Sequence, residues 1–303
     1  MTLSLGIRTS RTVSVVALVA ALLAVTLAVH RPVHAVPVAS CDGQTATIVG
    51  TNGDDNLEGT AGNDVIVGLD GSDTISGMAG DDIICAGSGN DTVYGEAQSS
   101  QGLGLGLSND RIFGDGGNDT LLGEVESATV VAGAGALGRD DFIDGGGGDD
   151  VIAGSLLEVT MALATTGLFT GNDELRGGGG NDTIYGQART FTHTVVGNVT
   201  VSGGNTTIDG GEGADSLYGD FETVSMSAVG TFTTDGAQDR ITGGDGGDTI
   251  YGDTKNGNDK LSPAPGSNGF KDDIDGGVGT DTADGGPSSN DTCTSVEAVT
   301  NCP

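Results

Sequence analysis

Residues 59–94 run GTAGNDVIV GLDGSDTIS GMAGDDIIC AGSGNDTVY, one block every nine residues. The register extends beyond this stretch. Asp55, Asp64, Asp73, Asp82 and Asp91 are each nine apart, Leu57, Ile66, Ile75, Ile84 and Val93 follow them by two, and Gly53, Gly62, Gly71, Gly80 and Gly89 precede them by two. A flexible linker has no need to hold such a register. A unit this short cannot bury its own apolar face, so successive units must stack on one another, which is the condition for a solenoid.

After Gly95 the blocks come in pairs: Asp110 with Asp119, Asp141 with Asp150, Asp173 with Asp182, Thr206 with Asp215, Asp239 with Asp248, and Asp272 with Asp281. The second members advance by 31, 32, 33, 33 and 33 residues, so two nonapeptides alternate with an insert of 13 to 15 residues. The inserts are related to one another. RTFTHTVVGNVTVSG (189–203) and ETVSMSAVGTFTTDG (222–236) both alternate polar and apolar residues around a glycine, Gly197 or Gly230. Alternation of period two predicts strands. Each insert therefore reads as two strand arms around a turn, which either lengthen the coil or project as a hairpin.

Composition narrows the chemistry. The chain has 57 glycines, no Trp and a formal net charge of -32. Few aromatic residues mean no thick core. Such acidity repels nucleic acid and attracts cations. Glycine at the first, second and fourth positions of a block is expected to supply positive φ for a sharp loop whose carbonyls turn inward. The sixth-position Asp adds a hard oxygen ligand. Calcium takes six to eight oxygens from carboxylates and carbonyls, and no Cys or His cluster accompanies the Asp residues to suggest a softer metal.

The three residues after each Asp, such as Val65-Ile66-Val67, are expected to form a short strand with its middle residue inward. Loop, strand, loop, strand then makes a coil of 18 residues. Asp55, Asp73 and Asp91 would line one edge, and Asp64 and Asp82 the other. The candidate calcium ligands are Asp55, Asp64, Asp73, Asp82, Asp91, Asp110, Asp119, Asp141, Asp150, Asp173, Asp182, Asp215, Asp239, Asp248, Asp272 and Asp281. Thr206 replaces one Asp, so its site is expected to be weak or absent, and Ala86 replaces a first-position Gly. One buried aliphatic per block contributes about 1.5–3 kcal/mol, against an ordering cost on the order of 10 kcal/mol for nine residues. Folding coupled to binding of several calcium ions is therefore expected.

Arg8 and Arg11 before the apolar stretch 13–29 predict a secretory signal in residues 1–35, ending at Val33-His34-Ala35 or at Ala39, with a signal anchor as the alternative. Cleavage after Ala35 leaves eight basic against 43 acidic residues, a net charge of -35. Four cysteines after such a signal suggest disulfides. Cys293 and Cys302 would close a terminal loop, which leaves Cys41 for Cys85. Val38-Ala39-Ser40-Cys41 also has the form of a lipoprotein cleavage box, set apart from the apolar run. The division is thus signal 1–35, N-terminal cap 36–49, uninterrupted repeats 50–94, super-repeats 95–284 and a disulfide-closed cap 285–303.

GGGGDDVIA (145–153), GGGGNDTIY (177–185) and GGDGGDTIY (243–251) match the calcium-binding nonapeptide GGxGxDxUx. On these blocks the chain resembles the hemolysin-type, or RTX, calcium-binding repeat family. The resemblance implies an all-β fold, a parallel β-roll or β-helix solenoid, with calcium held by the sixth-position Asp residues and loop carbonyls. Many family members leave the cell through an uncleaved C-terminal signal, whereas an N-terminal one is expected here. After cleavage His193 is the remaining histidine, the Asp residues are all placed alike, and no acid–base pair stands out, so no catalytic role is expected. The reading is a secreted calcium-binding protein with a structural or interaction role at the cell surface or in the extracellular matrix. Its expected partners are calcium and a glycan or cell-surface component, with no nucleic acid and no stable membrane insertion after cleavage. The alternative is a calcium-dependent extracellular enzyme that modifies polysaccharide.

Overall fold

The computed structural model describes residues 38–97, 99–101, 108–130, 135–136, 138–161, 166–194, 199–202, 204–226, 232–234, 238–252, 256–257, 272–286 and 291–302. The signal expected at 1–35 lies outside them. No helix occurs among the described residues, and so none is long and apolar enough to cross a membrane.

The β-branched residues after each Asp form the walls of the solenoid. One ten-stranded sheet starts at Ile48–Val49, continues through Val65–Asp70, Ile83–Ser88 and Arg111–Gly116, and ends at Thr292–Thr294. The opposite ten-stranded sheet runs from Asn56–Glu58 through Thr74–Ser76 and Thr92–Tyr94 to Ala298–Thr300. All these pairings are parallel and join equivalent positions of successive coils. Ile66 lies beside Ile84, then Ile112, Ile143, Leu175, Ile208, Ile241 and Ile274. Ile75, Val93, Leu121, Ile152, Ile184, Leu217 and Ile250 make the facing column. The two columns meet as one buried core. Beside it Tyr185, Tyr218 and Tyr251 stack at 5.1 and 5.3 Å, within the range favoured by offset aromatic pairs.

Two local expectations need correction. Between its two short end strands, the strands of the first sheet span six or seven residues instead of three. The opening residues of the next nonapeptide stay in the ladder: Leu69 pairs with Gly87 and Asp70 with Ser88 before the chain turns. Positive φ falls at the second and fourth positions, as in Gly146 (+95°) and Gly148 (+133°), and not at the first. Glycine at the first position is required by space. A Cβ on Gly123 would stand 2.2 Å from both Asp141 Oδ2 and the Gly154 carbonyl oxygen.

The inserts widen the coil. A hairpin would pair Ala188–His193 with Val199–Ser202. Instead Ala188–His193 pairs in parallel with Leu156–Met161 and Phe221–Met226, and Val199–Ser202 with Thr166–Phe169 and Phe232–Thr234. Two further sheets result, of six and four strands. Phe191 and Phe221 are fully buried behind the first of these, with ring centroids 5.7 Å apart.

At the N-terminal end, the antiparallel pair Ser40–Cys41 and Gln44–Thr45 is tied to the first sheet by the Cys41–Cys85 disulfide. It covers Val65, Val67 and Ile83 on that sheet's outer surface. Arg111 reaches Asp42 at 2.9 Å. A second disulfide, Cys293–Cys302, joins the last strand of the first sheet to the segment after the last strand of the second.

Candidate metal centre

The Asp residues fall on the two edges where the chain passes between the walls. On the first edge the turn stays tight in every described coil and presents Asp55, Asp73, Asp91, Asp119, Asp150, Asp182, Asp215, Asp248 and Asp281. On the second edge the inserts enter from Gly95 onward, and Asp64, Asp82, Asp110, Asp141, Asp173, Thr206, Asp239 and Asp272 follow. From Asp64 onward each of these side chains is buried, at 7% exposure or less.

Each carboxylate divides its two oxygens between two tasks. Oδ1 accepts the backbone N–H of the equivalent residue one coil earlier. Asp73 Oδ1 takes Asp55 N–H at 2.8 Å, Asp91 takes Asp73 at 2.7 Å, and the series continues to Asp281, which takes Asp248 at 2.9 Å. The second edge repeats this from Asp82, which takes Asp64 at 2.7 Å, to Asp272, which takes Asp239 at 3.1 Å. These are charge-assisted bonds to a buried amide and fix the stacking register. Sequence reasoning gave Asp to the ion alone and missed this bond.

Oδ2 has no such partner. Among the described residues the buried Oδ2 of Asp73, Asp82, Asp91, Asp110, Asp119, Asp141, Asp150, Asp173, Asp182, Asp215, Asp248, Asp272 and Asp281 accepts no hydrogen bond. Native proteins seldom leave buried polar atoms unpaired, and a repeated exception calls for an ion or another ligand. Most of these Oδ2 atoms sit against a first-position glycine α-carbon in company with a carbonyl from the next coil. At Gly177 the virtual Cβ meets Asp182 Oδ2 at 2.3 Å and Gly210 O at 2.4 Å.

Asp55 and Asp64 differ. Thr51 donates its amide and hydroxyl to Asp55 Oδ2 at 2.5 and 3.0 Å. Thr60 does the same for Asp64 at 2.7 and 2.8 Å. The contrast appears in the acidity of Asp64. Burial pushes Asp64 up, yet the Thr60 and Thr47 hydrogen bonds hold it below the ordinary value. Burial, with the neighbouring coils' carboxylates adding to it, carries Asp82, Asp150 and Asp272 to about 7 and Asp110 to about 8. A cation or a proton must compensate these groups.

Thr206 breaks the second-edge series. Its own amide still reaches Asp239 Oδ1 at 2.9 Å, but among the described residues its buried hydroxyl has no hydrogen-bond partner, and no carboxylate oxygen is among the nearest atoms around Gly186. Two residues unassigned from the sequence extend the series. Asp291 accepts Asp272 N–H at 3.1 Å, and Glu297 accepts Asp281 N–H at 2.8 Å. The signal for Asp291 was present: it precedes Cys293 by two, and Cys293 lies beside Ile274 in the core column.

Among the described residues no three Asp, Glu, His or Cys side chains converge into a preformed cage. An ion here would draw on one or two carboxylates and on loop carbonyls. The donors are all hard oxygens, some already unpaired, which fits calcium.

Buried carboxylates spaced by a coil, set on Gly-rich turns of a parallel solenoid, define a cation-binding β-roll. The chain belongs to the RTX calcium-binding nonapeptide repeat family, whose model matches residues 49–84, 67–99, 106–126, 129–156, 169–188 and 200–221. It is thus a calcium-binding repeat protein. No curated protein sequence matches the chain.

Proposed function

We propose that the sixth-position Asp residues from Asp73 onward hold calcium between successive coils, and that the chain works as a secreted scaffold folded by extracellular calcium. The single observation that carries this is the column of buried Oδ2 atoms without hydrogen-bond partners. Bound there, calcium would supply the positive charge that the buried carboxylates lack. The chain's own residues do the rest. Oδ1 fixes the coil register through the amide of the preceding coil, and the first-position glycines leave room for Oδ2 and a carbonyl to approach one point. Positive φ at the second and fourth positions shapes the turn. Two disulfides and the expected N-terminal signal support an extracellular setting. The long parallel walls and the widened face support a structural or interaction role, with a glycan or cell-surface component as partner.

Thermal melts of the purified chain test the calcium reading. Millimolar calcium is expected to raise the Tm by more than 20 °C over chelator, with magnesium giving little, because it demands octahedral geometry and dehydrates reluctantly. The same Tm in calcium and in chelator would remove calcium from the account.

A further inference from the structure

On the second edge the coils from Gly95 onward have replaced the nonapeptide loop by an insert. The residue after each first-position glycine there runs inward and is buried: Glu96, Glu124, Ser155, Gln187 and Asp220. In the regular loops this second position is a turn residue with positive φ, such as Gly146 or Gly178. A buried acid there contributes nothing to a turn. Glu96 is held by the Ser108 hydroxyl at 2.6 Å. Glu124 is different. It is fully buried, Oε1 accepts the Arg139 amide at 3.0 Å, and Oε2 has no hydrogen-bond partner among the described residues.

We propose that Glu124 and Asp141 form a further calcium site inside the widened coils, distinct in its ligands from the Gly-rich loop sites. Glu124 follows Gly123, and at the Gly123 α-carbon Asp141 Oδ2 and the Gly154 carbonyl converge, each 2.2 Å from the virtual Cβ. Asp141 Oδ2 also lacks a hydrogen bond among the described residues. Asp141 Oδ2 and the Gly154 carbonyl thus meet at one interior point, and the buried Glu124 carboxylate, one residue along from Gly123, is near enough for its charge to act on Asp141. Asp110 and Asp173, on the coils before and after Asp141, face the same interior and add negative charge. Carboxylates so close and dry require a cation or protons.

The inner residue varies along the chain, and beside Asp173 it is the neutral Ser155. Where Thr206 replaces the Asp, the residue at the inner position is the neutral Gln187, which donates to Asp220 at 2.6 Å. The acid returns as Asp220 where Asp239 Oδ2 and the Gly252 carbonyl again meet, at 2.5 and 2.2 Å from the virtual Cβ of Gly219.

The site rests on the calcium reading above but can fail separately. Bound calcium is counted by equilibrium dialysis with elemental analysis on the full chain and on Glu124→Gln, which keeps size and removes charge. The expected result is one calcium fewer per chain in the variant, with its circular dichroism in calcium unchanged. Equal counts would overturn the site and leave the loop sites standing, whereas a wild-type count of zero would overturn the calcium reading itself. Infrared spectra of the calcium-loaded wild type decide the matter without a variant. No protonated-carboxyl C=O band is expected at neutral pH. A persistent band would mean that protons, not calcium, neutralise the interior.

Discussion

The coils before Gly95 and those after it carry the same two walls on different cross-sections. The narrow coils use 18 residues, fill one core with paired aliphatics, and lie under a disulfide-tied hairpin. The wide coils use 28 to 33 residues and add two sheets with an aromatic interior. Both keep Asp-x-aliphatic on each wall and a small residue at the first position. Only the loop on the second edge is exchanged. The indispensable part of the repeat is therefore the carboxylate ladder and the space beside it, and a Gly-rich turn can be replaced where another backbone brings the Asp to the same place.

The comparison is broken most strongly by removing calcium. The narrow coils have Thr51 and Thr60 to satisfy Asp55 and Asp64, and a disulfide besides. The wide coils have no such substitute among the described residues. Limited proteolysis in chelator is expected to degrade the wide coils first and leave an N-terminal fragment near residues 39–94, with uniform degradation as the contrary result. A smaller effect comes from the shared core. Ile184→Ala empties a fully buried position and should cost about 2–5 kcal/mol in calcium-saturated denaturant melts. A loss below about 1 kcal/mol would mean the wide coils do not rely on the aliphatic column.

Next in size is the first-position glycine. Gly123→Ala forces a Cβ onto Asp141 Oδ2 and a backbone carbonyl, and overpacking of this kind costs about 1–3 kcal/mol. Gly147→Ala, where nothing lies within 4 Å, should stay within about 0.5 kcal/mol. Equal effects in the two variants would contradict the spatial role of the first position. Calcium affinity separates two neighbouring ladder members. Asp82→Asn should weaken binding, because Oδ2 is unpaired, while Asp64→Asn should leave affinity nearly unchanged and lower stability even in chelator.

The last comparison is that of pH. Asp82, Asp110, Asp150 and Asp272 are raised to about 7 or 8 in the fold, against about 3.9 in an unfolded chain. Between these values the folded chain binds more protons. Stability without calcium is thus highest in acid and falls as pH rises toward 8. The Tm in chelator should be lower at pH 8 than at pH 5, and a Tm that rises with pH would oppose this assignment.

Much of this was legible in the sequence because a strict period makes each local choice repeat. The core columns follow directly from Ile66, Ile75, Ile84 and their successors. The widening by inserts was not decidable, because alternation in 189–203 suits a hairpin and a longer coil equally, and only pairing with neighbouring coils separates them. Nor was the second task of Asp, because an Oδ1 bond to the amide of the preceding coil leaves no mark in composition. Thr51 and Thr60 were legible only in hindsight: a hydroxyl four residues before Asp has meaning once the loop is closed. Glu124 was hidden because it occupies a loop position in register but an interior one in space.

The most direct test of the central claim is far-ultraviolet circular dichroism of residues 36–303 during a calcium titration, with magnesium as control. The account predicts a cooperative gain of β signal with calcium and none with magnesium. A β spectrum already complete in chelator at neutral pH would contradict it and assign the fold to the disulfides, the core columns and protonated Asp.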